Sequence, residues 1–104
     1  MAANNKLVGD RYFVNKMIES YLVSLSNNAL HSKLDKIAFD FSDYELLVWV
    51  EIKEGDEESE NILYDIEAKI NSSYHDKGYD VVTTIVEDTD NLKIPSHYKL
   101  LESQ

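Results

Sequence analysis

The sequence predicts an α+β domain of order α-β-β-α-β, with a three-stranded mixed sheet and both long helices on one face. Three observations lead there. Two stretches carry apolar residues at helical spacing, and three carry them in strand-like alternation. The single Pro95 and the three glycines, Gly9, Gly55 and Gly78, fall at the ends of those stretches. No repeat, low-complexity tract or Gly/Ser linker divides the chain. Residues 1–104 therefore read as a single domain, with 1–9 and 102–104 expected to fray.

The first helix is expected from Asp10 to Ser26. Val14, Met17, Ile18, Tyr21, Leu22 and Leu25 form its apolar stripe, and Asn15, Lys16, Glu19 and Ser20 fill the outward positions. Asp10 suits an N-cap, because its carboxylate can accept an N–H that the first turn leaves unpaired. Asn27-Asn28 suits the end, and residues 29–34 are ambiguous, with a short second helical turn as one reading.

The segment KIAFDFSDYELLVWVEI reads as a β-hairpin. A two-residue Ser42-Asp43 loop would set Phe41 opposite Tyr44, Phe39 opposite Leu46 and Ile37 opposite Val48. The strongly apolar side chains then share one face, the match that normally specifies register. Gly55-Asp56 ends the second strand and starts the second helix. Ile62, Leu63, Ile66, Ile70 and Tyr74 are its buried stripe. Asp56, Glu57, Glu58 and Glu60 complement the positive end of its dipole, and Gly78 suits its termination. YDVVTTIVE follows as a strand, apolar on both faces and so expected at the sheet's centre. Asp88 to Asn91 is a turn, and SHYKLL is a short tail element that can fold back after Pro95.

Composition narrows the function. Hydrophobic residues make up 43% of the chain, enough for a core. Twenty Asp and Glu against ten Lys and Arg give a net charge of -10. Phosphate backbones are met by Lys and Arg, so direct nucleic-acid binding is not expected, and neither is an anionic membrane surface. Long-range fields of this sign favour a basic partner. No cysteine is present, which excludes thiol catalysis, disulfides and Cys-ligated zinc. The stretch MAANNKLVGDRYF has no apolar run of signal length, and nothing approaches the ~18 residues of a membrane span, so the expected compartment is the cytoplasm. His31, His75 and His97 lack zinc-type spacing, and no Gly-rich phosphate loop or nucleophile elbow occurs.

Two sets of residues are singled out. Leu47 and Trp49 point away from the helix-facing side, with Asp40, Glu45 and Glu51 around them. Trp49 is too large to leave wet, so either the tail or another chain should cover it. Asp40, Asp43 and Glu45 also crowd one strand end, where carboxylates could hold Mg²⁺ or Mn²⁺.

SDYELLVWVE, a helix and YDVVTTIVE together resemble the core of minimal nucleotidyltransferases. That resemblance implies a two-metal site for nucleotidyl transfer. Asp43 and Glu45 stand where the family has an Asp pair, and Asp80 stands as the third acid. Glu45 replaces the second Asp, and LDKIAFDF lacks the family's preceding glycine turn. The first expectation is therefore binding rather than catalysis. It is a non-catalytic interaction module of inhibitor, immunity or accessory-subunit type, meeting a basic protein or its own copy through an open sheet face at Leu47, Trp49, Asp40, Glu45 and Glu51. The alternative is a minimal or degenerate metal-dependent nucleotidyltransferase using Asp43, Glu45 and Asp80.

Overall fold

The computed structural model describes the backbone of residues 2–98 and 100–102 and the side chains of residues 11–98. Its elements are α1 (Ala2–Asn27), β1 (Lys36–Ser42), β2 (Glu45–Ile52), α2 (Glu57–Tyr74), β3 (Asp80–Glu87) and β4 (Leu100–Glu102). β1 and β2 pair antiparallel, and β2 and β3 pair parallel through the α2 crossover. That is the mixed three-stranded sheet the patterning calls for. The tail adds β4 antiparallel to β1, giving the order β3-β2-β1-β4. The expectation that 1–9 and 102–104 fray falls on residues whose side chains are all outside those described.

One core lies between the sheet and the two helices. Met17, Tyr21 and Leu25 of α1 and Leu63, Ile66 and Ile70 of α2 pack with Ile37, Phe39, Leu46, Val48, Val50 and Val81. The Tyr21 ring meets Phe39 edge-on at 5.9 Å. Its hydroxyl lies 3.0 Å from Thr83 Oγ1, so the buried phenol is not left unsatisfied. Burial holds that phenol above its ordinary range. α2 starts at Asp56, whose carboxylate accepts the Ser59 N–H at 3.1 Å and the Ser59 hydroxyl at 2.6 Å. These bonds hold the Asp56 carboxyl below its ordinary range. After α2, Gly78 adopts φ 87, a left-handed conformation that costs glycine little.

Four expectations change. Gly9 and Asp10 lie inside α1, so Asp10 is no N-cap. Residues 29–34 form turns rather than a helix, although Leu30 and Leu34 are buried. The hairpin register also differs: Phe41 faces Leu46, Phe39 faces Val48, Ile37 faces Val50 and Asp40 faces Leu47. The loop is Asp43-Tyr44, with Asp43 at φ 57, a left-handed conformation that Asp tolerates better than most residues. Moving the loop by one residue slides the partners by two, so the apolar face survives while the pairing changes. Asp40 therefore does not oppose Glu45.

Finally, β3 is an edge strand, not a central one. An exposed edge offers unpaired backbone groups to other chains. Here α2 covers part of that edge with side chains. Asn71 Oδ1 accepts the Val81 N–H at 2.6 Å, and Asn71 Nδ2 donates to the Val81 carbonyl at 3.1 Å. Glu67 Oε1 accepts the Thr83 N–H at 2.6 Å.

Phe39→Ala should cost about 3–5 kcal/mol by urea unfolding, the range for truncating a buried aromatic. Asn71→Ala strips both groups of Val81 at once. It should cost about 1–3 kcal/mol and raise self-association, read by light scattering.

Candidate functional site

The sheet face opposite the helices holds the predicted interface residues. Strand pairing arranges them in rows across β1, β2 and β3: Ser42, Glu45 and Asp80; Asp40, Leu47 and Val82; Ala38, Trp49 and Thr84; Lys36, Glu51 and Val86. The face is not open as expected. Trp49 is only 4% exposed and Glu51 only 5%.

The chain's own C-terminal segment closes half of this face. After β3, Glu87 and Asp90 form a reciprocal capping box, and Asn91 turns left-handed at φ 55. The segment then crosses the sheet. The Leu92 carbonyl accepts from Lys36 Nζ at 3.4 Å, and His97 Nδ1 lies 3.0 Å from Asp40 Oδ2. The Tyr98 side chain hydrogen-bonds Thr84, and burial holds its phenol above the ordinary range. Beyond it, β4 sets Leu101 opposite Ala38, the neighbour of Trp49. Trp49 is thus roofed within its own chain. Glu51 takes the Lys36 ammonium at 3.6 Å, and Lys36 is its row neighbour on β1. These two residues are structural here, and the tail is the coverer.

The other half of the face stays exposed. Val82 is 41% exposed and sits directly beside half-buried Leu47. Asp40, Glu45 and Asp80 surround this pair, and Asp43 stands in the adjoining turn. Asp80 is tied on both sides. Its N–H donates to the Tyr44 carbonyl at 3.1 Å, and its Oδ1 lies 3.0 Å from His75 Nδ1. The hydrogen bond and charge of Asp80 raise the His75 pKa above its ordinary 6.5.

The three acids suggested for metal are placed as follows. Glu45 and Asp80 are paired neighbours on β2 and β3, and Asp43 lies in the hairpin turn. Among the described residues, no group of three or more His, Asp or Glu converges in metal-binding geometry.

A second acidic feature lies at the other end of the sheet. A cleft of about 330 Å³ is lined by Asp56, Glu57, Glu60, Glu87 and Asp90 beside Ile52 and Ile85. Most of these carboxylates hold the fold together. Asp56 caps α2, Glu87 accepts the Gly55 N–H at 2.9 Å, and Asp90 accepts the Glu87 N–H at 3.0 Å. Glu57 stands in the first turn of α2, where negative charge is stabilising.

No family model, curated protein or solved structure matches this chain. Among the described residues, no helix is long and apolar enough to cross a membrane.

Val82, His97 and Tyr98 were not among the residues singled out from the sequence. Val82 was hidden because β3 read as buried on both faces. Tyr98 carried a faint signal, as an aromatic in a tail following Pro95.

Two outcomes follow. Tyr98→Ala should red-shift the emission of Trp49, the chain's sole tryptophan, by letting water reach the indole. His75 should titrate above 6.5 by NMR and fall back in Asp80→Asn. The His75–Asp80 contribution to stability is fully present below pH 6.5 and is lost as pH rises through the raised folded value.

Proposed function

We propose that the protein is a non-catalytic interaction module, and that it docks a basic segment of a partner on the exposed corner of its sheet. The observation that carries this reading is the Val82–Leu47 pair, apolar and accessible, inside a ring of Asp40, Glu45 and Asp80. An apolar centre with a charged rim is the usual anatomy of an interface. The rim's three carboxylates include two held against imidazoles, Asp40 by His97 and Asp80 by His75, and the chain's net charge of -10 adds a long-range field that steers a cationic segment toward it. Leu47, Asp40 and Glu45 keep the role expected of them. Trp49 and Glu51 lie buried further along the same face of β2, and Val82 replaces Trp49 as the apolar anchor.

The test is NMR shift mapping with a synthetic peptide alternating Lys and Val, beside its Glu-for-Lys counterpart. The Lys peptide should shift Leu47 and Val82 resonances, more weakly at high salt as the charges are screened. Val82→Lys should abolish those shifts without lowering the melting temperature. Equal shifts with both peptides, or in Val82→Lys, would contradict the reading.

A second reading rests on the Glu45–Asp80 pairing. The nucleotidyltransferase resemblance would use those acids, with Asp43, to hold Mn²⁺ or Mg²⁺. It predicts a rise in melting temperature with Mn²⁺ that disappears in Asp80→Asn, since a ligand bound only by the folded state stabilises it. A melt that Mn²⁺ leaves unmoved counts against it.

A further inference from the structure

On the helix side of the molecule, α1 and the C-terminal end of α2 form a groove of about 360 Å³. That volume is at the lower end of small-molecule sites, which run from about 300 to 1,000 Å³. Its lining differs in kind from the rest of this acidic surface. It comprises three aromatic rings, two lysines and two serines, with no carboxylate among the described residues.

The geometry comes from helical spacing. Tyr12, Lys16 and Ser20 follow one another at i, i+4 and i+8 along α1, so they form a single row. Ser73, Tyr74 and Lys77 face that row from the end of α2 and the turn after it. Phe13 sits between two tyrosine rings and is nearly perpendicular to both. Tyr12 lies 5.4 Å away at 77° and Tyr74 lies 6.3 Å away at 80°. Phe13 is also anchored against Tyr79 at 5.1 Å, so this aromatic set is braced by the core. Tyr12 is nevertheless 57% exposed.

The two ammonium groups stand over the tyrosine rings. Lys16 Nζ is 5.7 Å from the Tyr12 centroid, and Lys77 Nζ is 6.0 Å from the Tyr74 centroid. Lys16 has one weak carboxylate partner, Glu19 at 4.0 Å on the exposed side of α1. Among the described residues Lys77 has no ion pair. Cations beside an exposed Tyr12 ring and a half-buried Tyr74 ring present two forces to one ligand. A flat ring stacks on the tyrosines, and an anion attached to that ring meets the lysines.

We propose that this groove binds a mononucleotide, a flat base carrying a single phosphate. Tyr12 and Tyr74 pack against the base, Lys16 and Lys77 neutralise the phosphate, and the Ser20 hydroxyl donates to it. The chain's net charge of -10 does not oppose this at contact range, because screening at physiological salt confines the distant carboxylates to about 8 Å. Two lysines line the groove, too few to neutralise a run of phosphates, which limits the ligand to a single nucleotide rather than a phosphate backbone. This site is separate from the sheet corner and does not depend on the interaction reading.

The experiment is an NMR titration of the full chain with adenosine monophosphate, with adenosine and inorganic phosphate as separate arms. Tyr12 and Tyr74 ring signals and the Lys77 side chain are the reporters. Adenosine monophosphate should give saturable shifts at all three, and each fragment should bind at least about tenfold more weakly. Tyr12→Ala and Lys77→Ala should each weaken binding roughly tenfold, the scale of one stacking or charge contact. Both side chains are exposed, so both variants should keep the wild-type spectrum elsewhere. Four results would overturn the proposal: no saturable shift up to about 1 mM, adenosine binding as tightly as its monophosphate, phosphate alone binding as tightly, or either variant binding like wild type.

Discussion

Everything in this molecule hangs on β2 being covered from both sides. Leu46, Val48, Val50 and Ile52 face the two helices and are almost fully buried. Trp49 and Glu51 face the other way and are buried as well. A strand with both faces dry needs two covers. The helices supply one, and the chain's own C-terminal segment supplies the other. Where that segment runs decides which part of the second face stays available to a partner.

The covers differ in character. The helix side is a close-packed apolar layer, where a removed methyl group leaves a void that its neighbours cannot fill. The tail side relies on a few polar contacts from residues 92, 97 and 98 and on the short β4. The turn that launches this segment is well defined. Glu87 and Asp90 bond each other's backbone, and the loop after β2 is tied to the same place through Gly55 and Glu54. Glu87, Asp88 and Asp90 hold that junction together. Asp40, Glu45 and Asp80 gather instead at the far corner around Val82, with Asp40 bonded to His97 and Asp80 to His75.

Much of this architecture was legible in the residues. Helical spacing marked α1 and α2, alternation marked the hairpin, and the side each apolar residue faces was correct even though its partner was not. Slipping an antiparallel pair by two preserves the faces, so the pattern could not distinguish a Ser42-Asp43 loop from Asp43-Tyr44. The strand pairing settles it, with Asp43 left-handed in the loop. The place of β3 was hidden for a related reason. Valines on both faces suggest a central strand, yet here an edge is shielded by Asn71 and Glu67 from α2. Those two polar residues lie outside the apolar stripe of α2. Trp49 was correctly marked as needing a cover, but nothing local in its sequence said which chain would supply it, because that depends on contacts about fifty residues away.

The second face of β2 is closed by its own chain, which leaves the Leu47–Val82 corner exposed. An isotope-filtered NOESY on dilute protein, half of it labelled, tests this directly. The account predicts cross-peaks from the Tyr98 ring to the Thr84 methyl group within one molecule, and from residues 94–98 to the Trp49 indole. Their absence, or their appearance only between labelled and unlabelled copies, would contradict it. Trp49 would then be waiting for another chain.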